Sequence, residues 1–93
     1  MKKILLSVDG PYHVCFVPDV VADNLYKYIC DFDDYVFKYK TIKIDENHYR
    51  LTIEEISGFI EWLNENFEET SLLLDVINDT EYEQYKELPS WNW

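Results

Sequence analysis

Two short runs near the start of the chain, Ile4 to Val8 and Tyr12 to Val17, are mostly apolar and rich in strand-forming residues, and Asp9-Gly10-Pro11 separates them. Short runs rich in β-branched and aromatic residues predict strands, and the Asp-Gly-Pro break predicts a hairpin turn between them. From Pro18 a helical period sets in. Val21, Leu25, Tyr28, Ile29, Phe32 and Val36 fall on one side of a wheel of about 3.6 residues per turn, which predicts an amphipathic helix from residue 18 to about 38. Pro18 suits the first helical position, and Asp19 suits the positive end of the helix dipole. Tyr26, Cys30 and Phe37 make a smaller apolar stripe beside the polar face, expected to lie beneath another part of the chain.

Lys40 to Ile44 and His48 to Leu51 alternate around Asp45-Glu46-Asn47, a second predicted hairpin. Thr52 and Glu55 then stand in capping-box spacing, with Leu51 and Ile56 in the positions of a hydrophobic staple, so a helix is expected from Ile53. Its inner face is Ile53, Ile56, Phe59, Ile60, Leu63 and Phe67; Glu54, Glu61, Glu65 and Glu68 recur on the outer one, with Gly58 on the exposed side. The run from Ser71 to Ile77, with Leu72-Leu73-Leu74, reads as a buried central strand. A further capping box, Thr80 with Glu83, predicts a short helix from Glu81 to about Leu88, ended by Pro89. The order of elements predicts an α+β fold: one small domain over residues 1–93, with a mostly antiparallel sheet built from two hairpins and one later strand. Two main helices pack on one face, and a short C-terminal helix follows.

Charge changes this picture. Residues 1–50 carry eight acids and seven bases; residues 51–93 carry eleven acids and only Lys86. A folded chain with 47% hydrophobic and 17% aromatic residues gains nothing from so lopsided a field, since like charges repel in the compact state. The asymmetry points to a positively charged partner. It also argues against direct nucleic-acid binding, because a net charge of −11 is repelled by the phosphate backbone. Lys38, Lys40, Lys43 and Arg50 are too small a basic cluster to offset it, and are expected to guard the edge of a sheet.

Candidate chemistry is sparse. His13, Cys15, Cys30 and His48 lack the paired spacing of a zinc site, and the two cysteines are expected to be reduced, buried small hydrophobes. With two glycines the chain has no phosphate loop, and its nineteen acids make any single carboxylate pair unspecific. No enzyme activity, cofactor or metal is expected. No run of apolar residues is long enough to span a membrane, and Asp9-Gly10-Pro11 cuts short the signal-like start, so a cytoplasmic location is expected.

The expected interaction surface is an acidic ridge edged by aromatics: Glu54, Glu61, Trp62, Glu65, Glu68 and Glu69, continued by Asp79, Glu81, Glu83, Trp91 and Trp93, the tryptophan tail being expected to dock on the chain's own core or else to anchor a partner. Aromatic anchors supply most of the affinity of such surfaces, and charges steer association. The expected role is an inhibitor of a basic nuclease or other nucleic-acid-binding enzyme, a nucleic-acid mimic of the anti-CRISPR or anti-restriction kind found in phage and mobile elements. An immunity protein or antitoxin against a cationic toxin would use the same physics. A homodimer or oligomeric adaptor would instead associate through Tyr26, Cys30, Phe37 and the tryptophan tail.

Overall fold

The computed structural model describes all residues 1–93. Strands β1 (Lys2–Ser7) and β2 (Tyr12–Val17) form the expected antiparallel hairpin, with Leu5 opposite Val14 and Ile4 opposite Cys15. The turn holds Asp9 at a φ of 48°. Ser7 Oγ donates to the Gly10 carbonyl at 2.8 Å and closes the loop. β5 (Leu72–Ile77) joins β2 antiparallel, and β6 (Ser90–Asn92) joins β1 in parallel, giving the order β5-β2-β1-β6. The fold is α+β and mostly antiparallel, as expected.

The sheet has apolar contacts on both faces, which explains the unbroken Ile4-Leu5-Leu6. Ile4, Leu6, Cys15 and Val17 face the helices in a core that also holds Phe32, Phe59 and Leu63. Leu5 and Val14 face the other way, toward Ile77, Tyr82, Tyr85 and Leu88. A strand covered on both sides is apolar at every position rather than at alternate ones.

Several expectations are corrected. The helix from residue 18 is two helices, α1 (Asp19–Asp23) and α2 (Leu25–Tyr39), with Pro18 just outside the first. The break is at Asn24 (φ −133°, ψ 41°), whose side-chain amide donates to the Val20 carbonyl at 2.9 Å. Asparagine competes for backbone partners in this way and so ends helices. β3 (Thr41–Asp45) and β4 (His48–Leu51) pair antiparallel but stay apart from the main sheet as a two-stranded ribbon. Lys43 and Arg50 therefore sit on that ribbon and guard no edge of the main sheet.

The helix expected from Ile53 is α3 (Glu55–Asn66), and the Thr52–Glu55 capping box does not form. The hairpin takes Thr52 instead: its N–H and hydroxyl both donate to the Lys40 carbonyl, at 2.8 and 3.0 Å. Gly58 is buried rather than exposed; a Cβ there would lie 2.6 Å from Ile53 Cδ1 and 3.4 Å from Phe32 Cζ. Glycine lets α3 approach these side chains. β5 is an edge strand, not a central one, and Leu72, Leu73, Leu74 and Val76 are each close to half exposed. Local periodicity cannot assign a place in a sheet, and β1 occupies the interior. α4 is a single turn (Asp79–Tyr82), capped by Asn78 Oδ1 accepting from the Glu81 N–H at 2.9 Å rather than by Thr80 and Glu83.

Candidate protein-binding surface

Glu61 and Glu65 are exposed on the outer side of α3, one turn and therefore about 6 Å apart along its axis. The apolar stripe Phe59, Ile60 and Leu63 turns inward and fixes that orientation. Trp62 lies between the two faces. It is half-buried, with its ring 5.9 Å from Phe59 and 5.7 Å from Phe32, so one side of the indole belongs to the core. A cleft beside this row is lined by Tyr35, Lys40, Gly58, Glu61, Trp62 and Glu65. Lys40 makes no ion pair with either glutamate there.

The ridge is shorter than expected. Glu54 is the N-cap residue of α3, and Glu68 follows Phe67, whose extended backbone (φ −130°, ψ 147°) has already left the helix. Glu68 and Glu69 instead stand in the loop that leads into β5. Asn64 pins that loop by accepting from the Ser71 N–H at 2.6 Å and donating to the Ser71 carbonyl at 3.2 Å.

Asp79, Glu81 and Glu83 do not continue the α3 row. Their segment packs through Tyr82 and Tyr85 onto Leu5, Val14 and Ile77, across the sheet from α3, with Tyr82 stacked on Tyr12 at 5.1 Å. The structure therefore has two acidic surfaces on opposite sides of the sheet, with the β5 edge between them. Charge summed along the sequence merged surfaces that the sheet separates.

Trp91 and Trp93 lie against the chain's own core. Trp91 sits opposite Leu6 in the parallel pairing, 5.6 Å from the Tyr26 ring. The Trp93 ring meets Phe32 and Phe59 edge-on at 6.1 and 6.0 Å, and its indole N–H donates to Asp33 Oδ1 at 3.0 Å. Of the two expectations for the tail, docking on the chain's own core is the one met, since Ser90–Asn92 is a strand of the fold. Tyr26 and Phe37 touch the Trp91 and Tyr49 rings but stay largely exposed, as does Cys30, so the stripe expected to lie beneath another part of the chain is not buried.

Ion pairing distinguishes the two halves of the chain. The five ion pairs engage Asp19, Asp23, Asp31, Asp45 and Glu83, so of the eleven acids after residue 50 only Glu83 meets a cation, Lys86 at 3.1 Å. The others make no ion pair, although Glu69 acts on the Met1 ammonium and Lys40 shares a cleft with Glu61 and Glu65. The remaining polar chemistry is limited. Cys15 is buried and its thiol is pushed up to about 12 by desolvation, far from the range of a nucleophile at neutral pH. His13 lines a cavity of about 270 Å³ with Val8, Glu54, Glu55, Ile56, Ser57 and Leu73, and its Nδ1 has no hydrogen-bond partner. No three His, Cys, Asp or Glu side chains converge as a metal-binding group, and no helix is long and apolar enough to cross a membrane. The chain matches no protein-family model, no curated protein and no solved structure.

Proposed function

We propose that this chain is an acidic protein-binding inhibitor that occupies the nucleic-acid site of a basic enzyme, in the manner of anti-defence proteins directed at CRISPR or restriction nucleases. The observation that supports this reading is that ten of the eleven carboxylates after residue 50 have no cation partner. An exposed carboxylate left unpaired in its own fold keeps its full charge for a partner, and such charges raise association rates in a salt-dependent way. Glu61 and Glu65 stand about one phosphate spacing apart beside Trp62, which offers an aromatic edge at the centre of the row. Glu68 and Glu69 extend the field past the helix end. Trp91 and Trp93 are half-buried against the same core as Trp62, on and just after β6 rather than on the α3 row.

The test is titration against a panel of basic nucleases, free and already bound to DNA, at low and high salt. The reading expects binding to at least one free enzyme, competition with its DNA, and loss of binding as salt screens the charges. Reversing Glu61→Lys together with Glu65→Lys should slow association more than tenfold with the far-UV spectrum unchanged. Binding that is indifferent to salt, or equal for the free and DNA-loaded enzymes, would overturn the reading.

A further inference from the structure

Exposed apolar side chains are concentrated in two places. Of the thirteen large hydrophobic residues that are markedly exposed, six lie on the β3–β4 ribbon or the helix end that carries it: Phe37, Tyr39, Ile42, Ile44, Tyr49 and Leu51. Four more, Leu72, Leu73, Leu74 and Val76, lie on β5. Both places also end in unpaired strand edges. The ribbon has two strands and no third, an arrangement of marginal stability on its own, and β5 pairs with β2 alone. The β5 edge carries no proline or lysine; Asp75 and a register irregularity at Leu74 are its only guards against a further strand.

The two places have opposite charge. From Lys38 to Leu51 four bases stand against Asp45 and Glu46, a net of +2, and none of the four bases is in an ion pair. Around β5 stand Glu68, Glu69, Asp75, Asp79 and Glu81, also unpaired, with no base among them. Self-pairing of like with like fails on charge. An antiparallel β5–β5 contact centred on Leu74 and Asp75 would set Glu69 near Asp79 of the other copy, and a contact between two ribbons would set bases against bases. Ribbon against β5 matches apolar surface with apolar surface and lysine with carboxylate.

We infer that two copies of this chain associate by laying the basic β3–β4 ribbon of one along the acidic, apolar edge of β5 in the other, reciprocated about a twofold axis. A strand that fits this edge needs apolar residues on one face and a base on the other, and β3 sets Ile42 and Ile44 on one face and Lys43 on the other. The reciprocal contact closes the assembly at two copies. It leaves Glu61 and Glu65 free but draws on Glu68 and Glu69, which the inhibitory surface also uses, so Glu61→Lys with Glu65→Lys, which spares the β5 edge, tells the two roles apart.

Sedimentation equilibrium of the full chain at low salt should give twice the 11.3 kDa of one chain, with dissociation on dilution. A ribbon variant, Lys43→Glu with Arg50→Glu, and an edge variant, Glu68→Lys with Glu69→Lys and Asp75→Lys, should each dimerise at least tenfold more weakly. Mixed in equal amounts they should form a heterodimer, because each ribbon then meets an edge of opposite sign. Hydrogen exchange on the unaltered chain provides a readout that needs no variant: ribbon and β5 amides should exchange more slowly as concentration rises. A monomer at every concentration, a ribbon variant that dimerises like the parent chain, or a mixture that stays monomeric would each overturn the inference.

Discussion

Trp93→Ala separates a tail that is part of the core from one held out for a partner. Trp93 contributes edge-on contacts with Phe32 and Phe59, the indole bond to Asp33, and a backbone N–H donating to the Ser7 carbonyl at 2.9 Å. The last survives substitution. Truncating a fully buried Trp costs about 3–5 kcal/mol, part of it for the cavity left behind. Trp93 is only half-buried, at the rim, so water fills the space and the cavity part is lost. A loss of roughly 100–150 Å² of covered apolar area at about 25 cal/mol per Å² gives about 2.5–4 kcal/mol. The exposed indole bond adds little after exchange with water. The expected destabilisation is about 2–4 kcal/mol, which for a domain of this size lowers Tm by about 10–25 °C. Urea unfolding followed by far-UV circular dichroism measures it without relying on the indole that has been removed. Trp93→Phe, which keeps most of the ring, should stay within about 1 kcal/mol of the parent chain. A Trp93→Ala variant within about 0.5 kcal/mol of the parent would refute the docked tail, because that is the range of an ordinary surface change.

Three further expectations concern the core, the thiols and the hairpin. Gly58→Ala should be better tolerated with Ile53→Val than alone, since valine lacks the Cδ1 that stands 2.6 Å from the new Cβ. A double-mutant cycle should show a coupling of about 1 kcal/mol, and additive effects would refute the contact. At mildly alkaline pH a thiol reagent should modify one cysteine per folded chain, the exposed Cys30, while Cys15 reacts only on unfolding; two fast-reacting thiols would contradict the burial of Cys15. The Asn47 N–H, and after it the His48 ring, hold the Asp45 carboxyl below its ordinary value. A lowered carboxyl value means the turn is stabilised above the unfolded value and loses that support as pH falls through the folded one. In an NMR titration the Asn47 amide should therefore shift below the usual aspartate range, and a transition at or above that range would sink the assignment.

Sequence periodicity located the first hairpin, the apolar faces of α2 and α3, and the β3–β4 ribbon, because each depends on contacts among neighbours within a few residues. Ile4 to Val17 and Phe59 to Leu63 carry those patterns directly. The charge imbalance was equally legible, since it is a count. Tertiary structure decided what had no local signature. Asn24 breaks a helix whose apolar stripe continues through it, because its side chain finds the Val20 carbonyl. Thr52 fits a capping box in spacing, yet the Lys40 carbonyl, twelve residues away, claims its hydroxyl. Three leucines read as a buried strand, but only the sheet order shows that β5 is an edge. Glu61 and Glu81 belong to one acidic half in sequence and to opposite sides of a sheet in space. The side on which a charge stands depends on long-range pairing, here β6 on β1 and β5 on β2, and a periodic pattern carries no information about distant partners.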